Sequence, residues 1–297
     1  MDKRCCIIFP NQLFRESIFI DSDYKIFLIE EDLFFNQYNF HKQKISFHRS
    51  SMKFYEDYLI KKGLDVSYIN SYEKESSIIE LIKNISNQGY QKIEIYDPVD
   101  YLLNRRIKRV SKELNIDLVV HESKLFINSN EELKYFFKDS KQKFFQTTFY
   151  KSERKKRNIL INSKGGPEGE EWTYDIQNRK KFPKDKAPPE IKNPKKNSYV
   201  IESEKYVEKN FHNNFGSLGL FNYPTTYDEA DQWLNQFLND RFLEFGDYED
   251  AIVKDELTLN HSILSPLLNV GLLNIKDLLD ISIEFSRVND IPINSTE

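Results

Sequence analysis

Two serine hydroxyls lie close together near the C-terminal end of the chain, within residues 261–273. Ser262 and Ser265 fall where an apolar, helix-like run begins, and Pro266 lies in its first turn, where a missing N–H costs nothing. Unpaired backbone N–H groups and the positive end of a helix dipole favour an anion, and hydroxyls add hydrogen bonds. The pattern fits a diphosphate cradle. On these residues alone, a well-capped helix without a ligand is the more ordinary interpretation.

Basic residues are concentrated in two segments, although the chain as a whole has a net charge of −4. Residues 151–157 hold five basic residues against one acidic residue, and residues 179–196 hold eight against two. Such clusters can follow a phosphate backbone. A solvated linker has the same composition, and composition alone favours that interpretation.

The cysteines and histidines do not form a recognisable metal or nucleophile pattern. Cys5 and Cys6 are adjacent on a predicted strand, so they point to opposite faces, and we expect reduced, packed thiols. An iron–sulfur cluster needs about four thiolates, so we expect that this chain does not hold one alone. His48, His121 and His212 have no metal-ligand spacing, and we interpret them as structural.

Strand-like and helix-like runs alternate in the first 125 residues, which predicts an α/β, Rossmann-like domain with a parallel sheet. No Gly-x-Gly-x-x-Gly follows the first strand, so the sequence does not support a dinucleotide on that turn. The carboxyl edge of the sheet, near Asn11, Glu30 and Glu31, is the default ligand crevice. The predicted strands are residues 4–9, 25–29, 65–68, 92–96 and 117–120, and the predicted helices are residues 44–62, 73–87 and 99–114.

The rest of the chain is predicted to be helical, with one irregular segment. Residues 131–155 have a single helical pattern, and a turn-rich, basic linker with four prolines follows it. Thr226 and Glu229 predict a capping box that opens a helix, and Gly246 is its expected end. Further helices are expected from Ile263 and from Asn274 to residue 287. We therefore divide the sequence into residues 1–160, 161–198 and 199–297.

Composition excludes two broad classes. The chain has 297 residues, of which 39% are hydrophobic and 30% charged, and this is an ordinary soluble balance rather than that of a disordered protein. No run approaches the roughly 20 apolar residues that span a bilayer, so no membrane partner is expected. The N-terminus predicts a first strand rather than a signal peptide, and we expect a cytoplasmic protein.

Several motifs resemble those of the photolyase–cryptochrome superfamily, in particular its prokaryotic iron–sulfur, (6-4) photolyase-like branch. Residues 165–183, from Gly-Gly-Pro-Glu-Gly to Asn-Arg-Lys-Lys-Phe-Pro, resemble the inter-domain signature. Residues 261–268 stand in place of the Thr-Ser-x-Leu-Ser-Pro-Tyr-Leu flavin-phosphate motif, with His261 for Thr and Leu267 for Tyr. Residues 149–160, 41–44 and 11–13 are also similar to family segments, the last with Asn11 in place of Asp.

The resemblance implies two sets of site residues, and the basic segments supply a third. For FAD it implies Tyr248, His261, Ser262, Ile263, Leu264, Ser265, Leu268 and Asn269. For a ribityl-lumazine antenna it implies Asn11, Glu31 and Tyr38. The DNA candidates are Arg154, Lys155, Arg157, Arg179 and Lys180 from the two basic segments, and for Arg179 an ion pair with Asp175 is the open alternative. Trp172 is expected to anchor the signature turn between the two domains.

The implied function is light-driven electron transfer from reduced FAD to a flipped-out pyrimidine lesion in damaged DNA, a (6-4) photoproduct in this branch. Members of the branch continue into the rest of an all-α FAD-binding domain and the four cluster cysteines. We therefore expect an incomplete FAD domain here, with a separate C-terminal chain as a candidate partner. Two alternatives remain open at this point: a blue-light sensor without repair activity, and a non-catalytic chromophore-binding fragment.

Overall fold

A five-stranded parallel sheet forms the centre of the N-terminal part of the chain. The computed structural model describes residues 3–20, 22–219 and 221–297. The strands are β1 (Arg4–Ile8), β2 (Lys25–Ile29), β3 (Val66–Ile69), β4 (Lys92–Tyr96) and β5 (Asp117–His121). Their order is β3-β2-β1-β4-β5, and all four neighbouring pairs are parallel. This confirms the predicted α/β Rossmann-like domain.

Helices follow most of the strands and continue through the rest of the chain. The first four are α1 (Asp32–Phe35), α2 (Lys42–Lys61), α3 (Ile78–Asn87) and α4 (Tyr101–Glu113). The next four are α5 (Asn130–Phe136), α6 (Gln146–Arg157), α7 (Ser198–Asn210) and α8 (Tyr227–Asp240). The last four are α9 (Phe245–Tyr248), α10 (Ser265–Val270), α11 (Ile275–Val288) and α12 (Ile293–Thr296).

The central strands β1, β2 and β4 are buried on both faces, whereas the edge strands β3 and β5 are partly exposed. On one face, Cys5, Ile7 and Phe9 pack in a core with the buried sides of α3 and α4. Cys6 points to the opposite face, near Tyr55 of α2. Burial raises the pKa of the Cys5 thiol to about 12, and both cysteines are free. The prediction of packed, reduced thiols is confirmed.

The chain divides into two compact units that are each discontinuous in sequence. The first unit comprises residues 1–126, 193–231 and 265–275, and the second comprises residues 127–192, 232–264 and 276–297. The sequence-based division at residues 160 and 198 stays a prediction.

Two predicted helices differ from the observed ones. The expected helix at residues 131–155 is two helices, because residues 137–145 leave the helical path at Lys138-Asp139-Ser140, where Asp and Ser favour turns over helix interiors. Gly246 does not end a helix but lies inside α9. A Cβ at Gly246 would lie 2.3 Å from the carbonyl oxygen of Asn294, so close packing against α12 explains the glycine.

The start of α8 forms half of the predicted capping box. The backbone N–H of Glu229 donates to Thr226 Oγ1 at 3.3 Å. The Glu229 carboxylate instead accepts from the backbone N–H of Thr225 at 2.9 Å and from Asn197 Nδ2 at 2.9 Å. Because Asn197 also caps α7 through the N–H of Val200, one carboxylate joins the starts of two helices.

Candidate cofactor sites

Side-chain hydrogen bonds hold the turn after β1 against the end of β4. This is the point where the strand order of the sheet reverses. Gln12 Nε2 donates to the carbonyl oxygens of Tyr96 at 3.1 Å and Asp97 at 3.2 Å, both at the end of β4. Asn11 Nδ2 donates to the carbonyl oxygen of Pro98 at 3.2 Å. Within the described residues, the buried Oδ1 of Asn11 has no hydrogen-bond partner. An acceptor therefore lies at the position where open α/β sheets bind ligands.

Glu31 follows β2 at the same edge and is fully buried. Its carboxylate caps α1 by accepting from the N–H of Leu33 at 2.6 Å, and it accepts from the N–H of Ile78, at the start of α3, at 3.4 Å. Burial raises the pKa of Glu31 to about 7, because the charged form loses its hydration. Near neutral pH the carboxyl group can therefore act as either a hydrogen-bond donor or an acceptor.

Tyr38 packs against Phe40, whose ring also contacts the ammonium group of a lysine. Its own ring is 67% exposed and meets Phe40 edge-on at a centroid distance of 5.8 Å. Lys44 Nζ lies 3.7 Å from the Phe40 ring centroid, and burial lowers the Lys44 pKa. Tyr38, Phe40 and Lys44 thus form one contiguous cluster at the start of α2.

His48, one turn after Lys44 on α2, completes the connection to the sheet edge. It packs against the rings of Phe34 at 5.9 Å and Phe35 at 6.1 Å. Burial and the charge of Lys44 lower the His48 pKa to about 3, so the imidazole is neutral at physiological pH, and a hydrogen bond to the backbone of Pro10 opposes this shift. Pro10 is the chain neighbour of Asn11. The structure therefore links Tyr38 to Asn11 through side chains of α1 and α2.

From the sequence, His48 is interpreted as structural, and Lys44 is identified only as part of residues 41–44. The signal that could have found both residues is their i, i+4 spacing on the predicted helix that follows β2, since that spacing places them on one helix face. The combination of aromatic edges with a few polar groups is typical of small-molecule sites.

Four of the proposed FAD residues lie in the second unit, together with Tyr248. His261 Nδ1 accepts from the N–H of Leu259 at 3.1 Å, and its carbonyl oxygen accepts from Arg241 Nε at 3.1 Å. Ile263 has a φ of +57°, which is unfavourable for a β-branched residue. Such strain is frequent at ligand sites, and it explains why α10 begins at Ser265 rather than at Ile263.

The Tyr248 side chain belongs to a small core of the second unit. It is 9% exposed, and its ring packs against Phe182 at a centroid distance of 5.1 Å. Lys186 Nζ lies 5.3 Å from the same centroid. Ser262 is half-buried and Leu264 is buried.

The other three FAD candidates lie on α10 in the first unit. Ser265 and Asn269 are exposed and one turn apart on one helix face, and Leu268 is half-buried beside them. Helix α10 has six residues, which makes its dipole a weak source of anion affinity, so hydrogen-bonding side chains carry the argument here. The carbonyl oxygen of Val270 accepts from the N–H of Leu13 at 2.9 Å, which fixes α10 to the turn after β1.

Some of the basic residues proposed to contact DNA already bind other groups of the protein, whereas others do not. Arg154 is 3% exposed, and its guanidinium donates to the carbonyl oxygens of Ile159, Leu160 and Trp172 at 2.7–3.3 Å. Arg154 therefore ties the segment after α6 to the signature turn, and its buried guanidinium is shielded from a phosphate backbone. Trp172 is surrounded by cations, with Arg154 Cζ 5.3 Å and Lys155 Nζ 5.1 Å from its ring centroid.

The remaining basic candidates differ in their ion pairs. Arg157 pairs with Glu153 and Glu132, and Lys180 pairs with Asp247 at 2.8 Å. Lys155 and Arg179 are exposed, and no ion pair engages them within the described part of the chain. Lys155 and Arg179 are thus the two of the five candidates whose charge is available to a phosphate backbone.

Two clefts lie at the opposite, amino-terminal edge of the sheet. They measure about 530 and 670 Å³ and share Arg4 and Asp23 in their walls. Their charged groups are engaged with one another, through Arg4–Asp23 at 3.1 Å and Lys25–Asp65 at 2.5 Å. This edge is not where open parallel sheets place ligands, and we do not assign a site to it.

The sequence family is established by comparison with known proteins. The profile of the family described as deoxyribodipyrimidine photo-lyase-related protein matches residues 6–223, which is more than half of the chain. The chain belongs to this family. The match includes the parallel sheet from residue 6 of β1 onward, α7 and the signature turn of this photolyase-related chain.

Two relatives extend the comparison. An uncharacterized protein of Acanthamoeba polyphaga mimivirus is 36% identical over 191 residues, covering 61% of this chain and 96% of that protein. The (6-4) photolyase of Agrobacterium fabrum is 27% identical over 268 residues, covering 86% of this chain and 51% of that protein. The photolyase-related chain thus spans about half the length of the Agrobacterium relative.

The described helices were also compared with the requirements of a membrane span. Within residues 3–20, 22–219 and 221–297, none of them combines the length and the apolar character that crossing a bilayer needs.

Proposed function

We propose that this photolyase-related chain forms the antenna-binding part and the first flavin-binding part of a DNA photolyase that repairs (6-4) photoproducts. The observation that carries the proposal is the similarity to a (6-4) photolyase over 86% of the chain. That similarity extends beyond the sheet domain, since the sheet and its helices end by residue 121. The helices from α7 onward are proposed as the beginning of an all-α FAD-binding domain.

FAD is the proposed catalytic cofactor, and when bound in reduced form it would supply the light-driven electron for repair. The exposed hydroxyl of Ser265 and the amide of Asn269 fit hydrogen bonds to its polar parts, as does Ser262. His261 contributes through its backbone, which Arg241 fixes, while Ile263, Leu264 and Leu268 shape the turn. Tyr248 is proposed to pack near the flavin.

The proposed antenna is a ribityl-lumazine at the carboxyl edge of the sheet. The unpartnered oxygen of Asn11 accepts a hydrogen bond from the heterocycle, and the carboxyl group of Glu31 donates or accepts one. The exposed ring of Tyr38 covers one face of the ligand. Lys44 and His48 are added to this set because they connect Tyr38 with the strand ends.

Damaged DNA and a completing polypeptide are the proposed partners. Lys155 and Arg179 would contact the phosphate backbone, since their charges are available. The exposed apolar side chains of Ile281 and Val288 on α11 give a separate C-terminal chain a surface to cover.

The first experiment is an absorption spectrum of the purified chain, with mass spectrometry of any cofactor released on denaturation. We expect both FAD and a lumazine, and we expect Ser265→Ala with Asn269→Ala to lower the FAD content at least severalfold. Ser152→Ala, at an exposed serine of α6, is the control. A chain that remains free of flavin after incubation with excess FAD would contradict the proposed function.

One alternative has an observation in its favour. The three antenna residues all lie within residues 1–126, and none of them belongs to the flavin segment. A lumazine-loaded chain that never takes up FAD would identify a non-catalytic chromophore-binding module. Tyr38→Ala should then lower chromophore content, whereas Tyr101→Ala, at a 76% exposed tyrosine, should leave it unchanged.

A further inference from the structure

Aromatic side chains are exposed between α5 and α6, where neither the flavin nor the antenna site lies. We call this the aromatic–lysine surface. Its rings are those of Tyr135, Phe137, Phe144 and Phe145, which are 80%, 42%, 52% and 63% exposed. Its cations are Lys138, Lys141 and Lys143. Several large rings in one exposed segment are unusual for a surface that meets only water.

Two rings of this surface, those of Phe137 and Phe144, are held by contacts with neighbouring rings. Phe137 and Phe144 have ring centroids 5.2 Å apart, and Phe137 also contacts Phe149 of α6 at 5.3 Å. Lys141 Nζ lies 3.5 Å from the Phe136 centroid and 5.5 Å from that of Phe144. The surface is therefore a pre-formed arrangement of rings with a cation between them.

The charge around these rings is strongly positive. Residues 130–157, from the start of α5 to the end of α6, contain nine basic residues and four acidic ones, Glu131, Glu132, Asp139 and Glu153. Glu131 pairs with Lys134, and Glu132 pairs with Lys156 and Arg157, so the unpaired excess lies on the lysines between the helices. Glu153 is already paired with Arg157. Within the described residues, no ion pair neutralises Lys138 or Lys143. The complementary ligand is therefore polyanionic and has flat faces.

We propose that the aromatic–lysine surface binds single-stranded DNA, independently of any lesion. Unpaired bases stack on exposed aromatic rings, while lysines follow the phosphates, and this combination is typical of sequence-tolerant single-strand binding. A duplex hides its base faces, so it would use only the lysines of the surface. This inference deepens the proposed repair function by adding a DNA contact that needs neither flavin nor lesion.

The test is fluorescence anisotropy of the full chain with a labelled, undamaged oligothymidylate of about 20 nucleotides. Phe144→Ala with Phe145→Ala should weaken binding about 10-fold or more, because stacking on a ring contributes about 1–3 kcal/mol per base. Ile252→Ala with Leu257→Ala removes two side chains that are 94% and 96% exposed in the same unit, and this control should bind like the parent. Circular dichroism and melting curves establish that each variant is folded.

The cations are tested by the salt dependence of the same binding. Lys141→Gln with Lys143→Gln should reduce the slope of log K against log salt by about 1.4, since each phosphate contact to a single strand contributes about 0.7. Lys108→Gln with Lys112→Gln, on exposed lysines of α4, is the matched control and should leave the slope unchanged.

Three results would overturn the proposal: parental affinity in the ring variant, equal affinity for single strands and duplex, or displacement by polyglutamate as effective as by oligothymidylate. The last would identify an acidic protein as the partner. Because the probe is undamaged, binding by a flavin-free chain would leave this surface standing even if the photolyase proposal failed. Conversely, a flavin-loaded chain that bound the oligonucleotide equally well after Phe144→Ala with Phe145→Ala would contradict the single-strand proposal and leave the photolyase proposal intact.

Discussion

Two features of the structure require a glycine at position 271, directly after α10: its backbone conformation and its close packing. Its φ is +85°, in the left-handed region, where glycine is favoured. Its N–H donates to the carbonyl oxygen of Leu267 at 3.1 Å, and this hydrogen bond ends the helix. A Cβ there would also lie 2.8 Å from the Phe14 ring. The residue thus closes the helix that carries Ser265 and Asn269 and lets it approach the turn after β1.

Gly271→Ala is expected to destabilise the chain more than Gly63→Ala does. Both glycines have a φ of +85°, but a Cβ at Gly63 meets nothing within 4 Å, so that variant measures backbone strain alone. Overpacking against Phe14 should add about 1–3 kcal/mol to the loss of unfolding free energy. Urea denaturation of the two variants gives the difference, and equal losses would show that the ring simply moves aside.

Glu31 should make stability depend on pH in a direction unusual for a carboxyl group. Its folded pKa, about 7, is above the ordinary value of 4.5, so the folded state binds a proton that the unfolded state has released. This contribution is fully present below about pH 4.5 and is lost as pH rises through 7. Burial of the carboxylate thus opposes folding at alkaline pH.

The measurement is the unfolding free energy at pH 5 and pH 8 for the parent chain and for Glu31→Gln. The pH-dependent loss should be smaller in the variant by up to about 3 kcal/mol, since one pKa unit corresponds to about 1.4 kcal/mol. Glu122→Gln is the control. Parallel pH profiles for parent and Glu31→Gln would mean that Glu31 remains ionised in the folded state.

At the scale of elements, a buried ionic network joins α2 to β2 and α7. Arg49 donates to Glu30 Oε1 at 2.7 Å and to Glu202 Oε1 at 2.6 Å. Glu30 is fully buried, and its carboxylate also accepts from the hydroxyls of Tyr68 at 2.6 Å and Tyr206 at 2.9 Å. Every charge in the interior of this network therefore has a partner.

Arg49→Ala should cost about 3–5 kcal/mol of unfolding free energy, because it leaves the Glu30 carboxylate buried without its counter-charge. Arg109→Ala breaks the exposed pair with Glu113 and should change stability by less than about 1 kcal/mol. Arg49→Met with Glu30→Gln removes both buried charges and should recover part of the loss. Chemical denaturation measures all three, and a loss for Arg49→Ala no greater than for Arg109→Ala would contradict the expectation.

The elements themselves were predictable where their signals are local. All five strands were predicted, with ends within one residue of the observed ones, because each is a short run rich in β-branched, aromatic or other apolar residues. The break at residues 137–145 was missed because a helical period of aromatic residues continues through it. Several of these aromatic side chains are exposed rather than buried. The periodicity of apolar residues does not show whether their side chains are buried in a core or exposed on a surface.

The candidate sites were only partly predictable, because their contacts join residues far apart in sequence. Asn11 and Glu31 were predicted from the strand ends, a rule that needs only the sheet topology. The pairing of Arg49 with Glu202, separated by 153 positions, has no local signal. The burial of Arg154 was likewise unpredictable, since its partners are three backbone carbonyls rather than acidic side chains.

At the scale of the whole molecule, the first unit needs chain segments from beyond its sheet. Ser46 on α2 exchanges a 2.7 Å hydrogen bond with Ser203 on α7, next to the Arg49–Glu202 pair. A fragment of residues 1–160 lacks Ser203 and Glu202, the partners of Ser46 and Arg49, and it also lacks Tyr206. Its α2 would therefore expose polar groups that the native structure buries against α7.

The fragment of residues 1–160 is accordingly expected to melt at a lower temperature than the whole chain, or to aggregate. A synthetic peptide of residues 193–231, added in excess, should raise its melting temperature because it binds only the folded form. A peptide with Glu202→Ala is the control and should raise it less. A fragment as stable as the first unit of the whole chain would mean that α7 contributes little to that unit.

The interleaving of the two units also sets a schedule for biosynthesis. The last strand of the sheet is synthesised by residue 121, but the first unit is complete only after residues 265–275. At roughly 5–20 residues per second, about 7 to 30 s pass between the synthesis of the last strand and that of α10. During that interval a nascent chain exposes the part of the turn after β1 that α10 contacts in the complete first unit.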